Sequence, residues 1–109
     1  MQTVRQVGTV GQTIIREGDI GDKLYLIARG KAQVSRNASG GSPQRIAVLQ
    51  DGDHFGEIAL VRNVPRIATV SALTPCLLLT LRSINFELLL EKFPLFRDLM
   101  LKSTAERMY

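Results

Sequence analysis

The residues best suited to chemistry in this sequence lie between Phe55 and Ala68. Gly56 has no side chain to block a ligand that approaches the backbone closely. The residues after it, Glu57, Ile58 and Ala59, read as the start of a short helix. The first N–H groups of a helix have no internal partner and sit at the positive end of its dipole, so they suit an anion. Arg66 adds a planar, permanently charged fork that matches phosphate oxygens. Glu57 is the odd member, because a carboxylate repels a phosphate. It fits only if the same ligand also offers hydroxyl donors, as a ribose does. A compact ligand with a ribose hydroxyl and a single phosphate charge is a nucleotide. Outside this context, a buried Glu and Arg would read as a plain structural ion pair.

Catalytic chemistry finds few residues to carry it. A jelly-roll metalloenzyme needs several histidines plus a carboxylate, and His54 is the sole histidine. Asp51, Asp53, His54 and Glu57 are acidic enough to consider as a metal cluster, but a turn plus one ribose ligand explains them better. Cys76 precedes Leu77, Leu78 and Leu79 and reads as an inert core thiol. Neither a Gly-x-Ser-x-Gly elbow nor a Gly-Lys-Ser/Thr phosphate loop is present. The expectation is a binding module with no catalytic residue, no metal and no cofactor.

Positioning these residues requires a scaffold, and the first eighty residues read as short strands between turns. Thr13 to Arg16 stops at Glu17-Gly18-Asp19, with a further turn at Gly21-Asp22. Leu24 to Ala28, Lys31 to Ser35 and Arg45 to Leu49 are strands, the last closed by Asp51-Gly52-Asp53. Asn37 to Pro43 reads as a small, polar and mobile hairpin tip. Ile67 to Leu73 and Cys76 to Leu81 complete the set. Short strands at this spacing predict an antiparallel jelly roll or small barrel. The run Phe55 to Val61 interrupts it as one or two buried helical turns, and Asn63-Val64-Pro65 returns the chain to extended geometry.

Beyond Leu81 the period changes. Ser83 is a candidate N-cap, and Ile84, Leu88, Leu89 and Leu90 recur at helical spacing up to Lys92. Pro94 suits the first position of a second helix. There Phe96, Met100, Thr104 and Arg107 fall on one face, beside a Leu95–Leu99 stripe. The plain reading is that both helices cover one side of the barrel, with Arg107 a frayed terminal arginine.

With 109 residues, 45% hydrophobic and 22% charged, the chain has room for one domain and one core. No apolar run is long enough to span a bilayer, and Met1 to Val10 lacks a signal-peptide core. One cysteine fits a reducing compartment, so a cytoplasmic setting is expected. The net charge of +4 invites a nucleic-acid reading. However, the basic residues are scattered and the few aromatics sit in apolar patterns, so no nucleic-acid surface is expected.

The stretch Phe55-Gly56-Glu57-Ile58-Ala59-Leu60, followed by Pro65-Arg66-Ile67-Ala68-Thr69-Val70, resembles the phosphate-binding cassette of cyclic nucleotide-binding domains. That family includes cAMP-dependent protein kinase regulatory subunits, catabolite activator proteins and cyclic nucleotide-gated channels. Ile15 to Asp19, Gly21-Asp22 and Leu24-Tyr25 resemble its early strands and turns. The resemblance runs from about Thr13 to Arg107. It implies a mainly β fold: an antiparallel jelly roll, or double-stranded β-helix, with a short phosphate-binding helix and two C-terminal lid helices. Residues 1–109 would form a single domain, with the β-roll over 1–81, the cassette over 55–70 and the helices over 82–109.

The resemblance also implies a ligand, cAMP, with cGMP the alternative. Glu57 would accept the 2′-hydroxyl and Arg66 would bind the cyclic phosphate, helped by N–H groups of Gly56 to Ala59 and of Ala68. Val34 and Ala47 would form the wall behind the base. The last helix is most similar to bacterial cyclic nucleotide-regulated potassium channels, in which an arginine at the place of Arg107 contacts the base. Two departures stand out. Ile67 follows the arginine where the family usually has Ala, Ser or Thr, and cGMP-preferring relatives use a Thr or Ser hydroxyl there. Met1 to Gln12 is too short for the helical segment that usually precedes the barrel, so the chain is expected to be a piece of a larger protein. Its partner would then be an effector domain of that protein, with a membrane channel or transporter the leading host, and the ligand would shift the last helix toward a closed state. A degenerate domain that keeps the fold without the ligand is the alternative.

Overall fold

The computed structural model describes residues 4–37, 41–107 and 109. Among the described residues, eight strands form two four-stranded antiparallel sheets. The strands are β1 (Val4–Gly8), β2 (Thr13–Ile15), β3 (Lys23–Arg29), β4 (Ala32–Asn37), β5 (Pro43–Leu49), β6 (His54–Phe55), β7 (Thr69–Ala72) and β8 (Cys76–Arg82). One sheet runs β1-β8-β3-β6 and the other β2-β7-β4-β5, so the chain repeatedly crosses between layers as a jelly roll does.

The alternation of side chains explains which residues meet between the sheets. On β4, Ala32 and Val34 are buried while Gln33 is half-buried on the other side. On β8, Cys76, Leu78 and Thr80 point inward. Cys76 and Leu78 join Ile27, Phe55 and Val70 in one core cluster. Burying a large apolar side chain is worth about 1.5–3 kcal/mol, so this cluster holds the two sheets together.

Three helices complete the fold: α1 (Glu57–Arg62), α2 (Ser83–Lys92) and α3 (Pro94–Glu106). Phe86 of α2 and Met100 of α3 enclose Leu24 in a second cluster, with Phe86 and Phe96 edge to face at 5.7 Å. Pro94 occupies the start of α3 as expected. Ser83 does not cap α2. Strand β8 runs straight into the helix, Arg82 holds the cap position in extended geometry, and no side chain bonds there. Strands β1 and β6 were not anticipated. β1 pairs with β8 from Val4↔Thr80 to Gly8↔Cys76, and β6 pairs with β3 through Tyr25↔Phe55 and Leu26↔His54. The hairpin tip expected to be mobile lies, at residues 38–40, outside the described residues.

Candidate functional site

The short helix α1 owes its position to Phe55 and Gly56. Phe55 is fully buried and stacks on Tyr25 with ring centroids 4.9 Å apart. Gly56 then turns the chain with φ +93, a left-handed conformation that L side chains rarely adopt. Ile58 and Ala59 are buried, which seats α1 against β3 and α3. The first-turn N–H groups beginning at Glu57 are free of intrahelical partners by the geometry of any helix start.

Arg66 is held beside this turn. Its backbone N–H donates to the Asp19 carbonyl and its own carbonyl accepts from the Gly18 N–H, both at 2.8 Å. Nη1 of its side chain donates to the Gly56 carbonyl at 2.7 Å, and Nη2 to the Lys23 carbonyl at 2.8 Å. The guanidinium lies 5.9 Å from the Tyr25 ring centroid. Two of its five N–H donors are thereby engaged, which leaves three for an anion. Burial pulls the Arg66 pKa below its usual value, opposed by the fields of Tyr25, Asp22 and Glu57. Burial pushes the Tyr25 phenol up, against the pull of Arg66. A Cβ at position 21 would run into the Arg66 guanidinium, so glycine there leaves room for that side chain.

Glu57 has no solvent exposure and carries the second charge of the site. Its carboxylate oxygens accept from Arg107 Nη1 at 3.1 and 3.2 Å, and His54 Nε2 lies 3.4 Å from Oε2. The same Arg107 Nη1 donates to the His54 carbonyl. Arg107 is therefore an anchored residue rather than a frayed end, with its side chain only 18% exposed. As the C-cap of α3, Arg107 leaves the helix in extended geometry, with its guanidinium on the Glu57 carboxylate.

The expected base wall is assembled by strand register. Val34 on β4 lies directly opposite Ala47 on β5, with Val34 fully buried and Ala47 packed against the main core. Ala68 is buried in that core too, and Ile67 is half-buried. Tyr109 also packs against this core, with the Arg107 guanidinium 5.1 Å from its ring centroid. Two cavities border these groups. One of about 310 Å³ is lined by Arg66, Asp22 and Tyr25, and another of about 330 Å³ by Arg36, Ile46, Arg107 and Tyr109.

Gly56, Glu57, Ile58, Ala59 and Arg66 are thus brought together around one turn, while Val34, Ala47 and Ala68 belong to or pack against the main core of the roll. Sequence reasoning missed four contributors. Gly21 and the Lys23 carbonyl shape and hold the Arg66 side chain, Tyr25 flanks it, and His54 touches Glu57. A glycine and a main-chain carbonyl leave no chemical signature in sequence. Asp51 and Asp53 serve as turn residues: Asp51 accepts from the Gly30 N–H at 2.7 Å, and Asp53 from the Gln50 N–H at 2.8 Å.

Residues 9–93 match the family model described as the cyclic nucleotide-binding domain. Over 85 residues the chain is 41% identical to a cAMP-dependent protein kinase regulatory subunit of Yarrowia lipolytica, covering 78% of this chain and 22% of that protein. A cyclic nucleotide-gated potassium channel of Rhizobium etli is 35% identical over 97 residues, covering 89% of this chain and 26% of the channel. Among solved structures, the Thermus thermophilus catabolite activator protein superposes with a TM-score of 0.90 at 31% identity. That match covers 97% of this chain and 50% of the activator. The chain thus spans about a quarter or less of the two curated relatives.

Proposed function

Because the chain belongs to the cyclic nucleotide-binding domain family, we propose that it is a regulatory module whose Glu57 and Arg66 hold cAMP. The observation that carries this reading is a pair of buried, opposite charges at one turn. Glu57 is fully buried and Arg66 is 5% exposed, with its guanidinium fixed by the carbonyls of Gly56 and Lys23. Arg66 would take the cyclic phosphate with the amides of the first turn of α1, and Glu57 the ribose 2′-hydroxyl. A carboxylate has about four acceptor positions, so Glu57 can keep Arg107 and still accept a hydroxyl. Val34 and Ala47 would back the base, and Ala68 would lend its N–H to the phosphate.

The preference for cAMP over cGMP rests on Ile67. It carries no hydroxyl to donate to guanine, and one hydrogen bond is worth about 1 kcal/mol, so the preference is about five- to tenfold. The module binds and does not react. Occupancy passes to an effector domain through Arg107, which joins the ribose anchor to α3. Relatives named as a kinase regulatory subunit and a potassium channel support an effector in the same polypeptide, with a channel our leading host. No helix among the described residues is long and apolar enough to cross a membrane. We place the domain in the cytoplasm, free or as the cytosolic part of a membrane protein.

Calorimetric titration with cAMP and cGMP tests this. Removing one partner of a buried charged contact costs about 2–5 kcal/mol, so Arg66→Ala should lose at least about thirtyfold in cAMP affinity while its circular dichroism stays native. Unchanged affinity in Arg66→Ala, or a strong wild-type preference for cGMP, would overturn the assignment.

A further inference from the structure

Of the groups around Glu57, His54 is the one that the binding chemistry above does not use. It sits on β6, beside Phe55, and touches α1 and α3 at once. Its Nε2 is 3.4 Å from Glu57 Oε2 on α1 and 3.2 Å from Ser103 Oγ on α3. Its main-chain carbonyl accepts from Arg107 Nη1, at the C-cap of α3. His54 and Arg107 are thus two basic side chains on one buried carboxylate. The ring is 24% exposed, and the His54 backbone pairs with Leu26 of β3.

We propose that His54 is a positioning residue: as a neutral ring it fastens α3 to the ribose anchor, and on protonation it releases α3. The neutral ring keeps its hydrogen bond to Ser103 Oγ, which ties it to α3, while Arg107 supplies the positive charge in contact with that carboxylate. Protonation adds a second positive charge beside Arg107 with the same partner. The two cations then compete for Glu57, and the one that can leave is Arg107, which lies at the end of a helix.

The charged groups whose fields reach the ring are Glu57 and Asp53, which favour protonation, and Arg107, which opposes it. Burial opposes it most, and the ring's pKa in this closed arrangement falls below 6.5. Opening α3 solvates the ring and removes Arg107, so the pKa rises again. The open form therefore binds the proton more tightly than the closed one. Closure is fully favoured above pH 6.5 and weakens as pH falls below it. With one histidine in 109 residues, no other side chain has its ordinary pKa in this window.

The link from closure to affinity rests on the cyclic nucleotide reading; the link from His54 to α3 does not. The experiment measures both. First, the ligand-free protein is titrated from pH 7.5 to 5.5 by NMR. The His54 ring should titrate below 6.5, and the amides of Ser103 to Arg107 should shift with the same midpoint. In His54→Gln, which keeps a donor but cannot titrate, those amides should stay still. Second, cAMP affinity is measured over the same range. Wild type should weaken by up to about tenfold by pH 5.5, the limit set by one proton over one pH unit below 6.5. His54→Gln should bind somewhat more weakly at pH 7.5 and show a flat profile. Amides of α3 that ignore the ring's titration, or equal pH profiles in wild type and His54→Gln, would overturn the proposal. Absence of any cAMP binding alongside a coupled NMR titration would instead refute the ligand and leave the clasp standing.

Discussion

The Arg107 guanidinium lies 3.1 and 3.2 Å from the two oxygens of the Glu57 carboxylate, across a sequence separation of 50 residues. Glu57 opens α1 and Arg107 closes α3, so one contact ties the start of the short helix to the end of the last one. The carboxylate has no solvent exposure, and such a charge is stable only while it has partners.

Removing Arg107 should therefore cost more than a surface ion pair is worth. Taking one partner from a buried pair costs about 3–5 kcal/mol, and because His54 remains beside Glu57 we expect the lower part of that range. Urea unfolding of Arg107→Ala should show a loss of about 3 kcal/mol. Adding Glu57→Gln to that variant removes the stranded charge and should recover part of the loss. A double variant as unstable as the sum of the singles would mean that the two side chains do not interact.

Gly21 offers a way to move Arg66 without changing it. An alanine Cβ there would lie 2.3 Å from Arg66 Cζ, and the atom that must yield is the far end of a flexible side chain. The backbone at Gly21 needs no left-handed φ, so the fold should tolerate alanine. What should go is the pair of carbonyl bonds that hold the guanidinium at 2.7 and 2.8 Å. Bonds to a charged group are worth about 1.5–3 kcal/mol, so Gly21→Ala should weaken cAMP about ten- to hundredfold. Unfolding free energy should change far less than binding does. Native affinity in Gly21→Ala would show that Arg66 does not need this placement.

These two predictions draw unequally on what the sequence makes legible. Six of the eight strands and all three helices follow from alternation, helical period and turn residues. Strand β6 escapes because it has two residues, too few to show a period. β1 escapes because its sequence, Val-Arg-Gln-Val-Gly, alternates weakly, and only pairing with β8 makes it a strand. Within the site, Glu57 and Arg66 stand out because charges embedded in apolar runs demand a reason. Arg107 is legible as a helix-face residue, but its partner is not. Its contact with Glu57 depends on the angle at which the chain leaves α3, which no local pattern encodes.

The last prediction concerns Arg62, in the last turn of α1. Its Nη2 donates to the Thr104 carbonyl at 3.0 Å, near the C-terminal end of α3. That carbonyl belongs to a helix end, where the final C=O groups lack intrahelical donors and the dipole is negative, so a cation there is favourable. Arg62 is exposed, and solvent screening limits such a contact to about 0.5 kcal/mol. Global stability should barely change in Arg62→Ala, because the core clusters do not include this side chain. Local opening should change. Hydrogen exchange of the amides from Ser103 to Arg107 should quicken by about twofold, the population shift that this energy implies. Amides of β3 and β8, paired with each other inside their sheet, should exchange as before. Because Arg62 and Glu57 sit at opposite ends of α1, the cassette helix would then hold the lid at two points. Exchange that quickens equally in β8 would point to general destabilisation. Unchanged exchange from Ser103 to Arg107 would leave Arg107 and His54 as the lid's attachments.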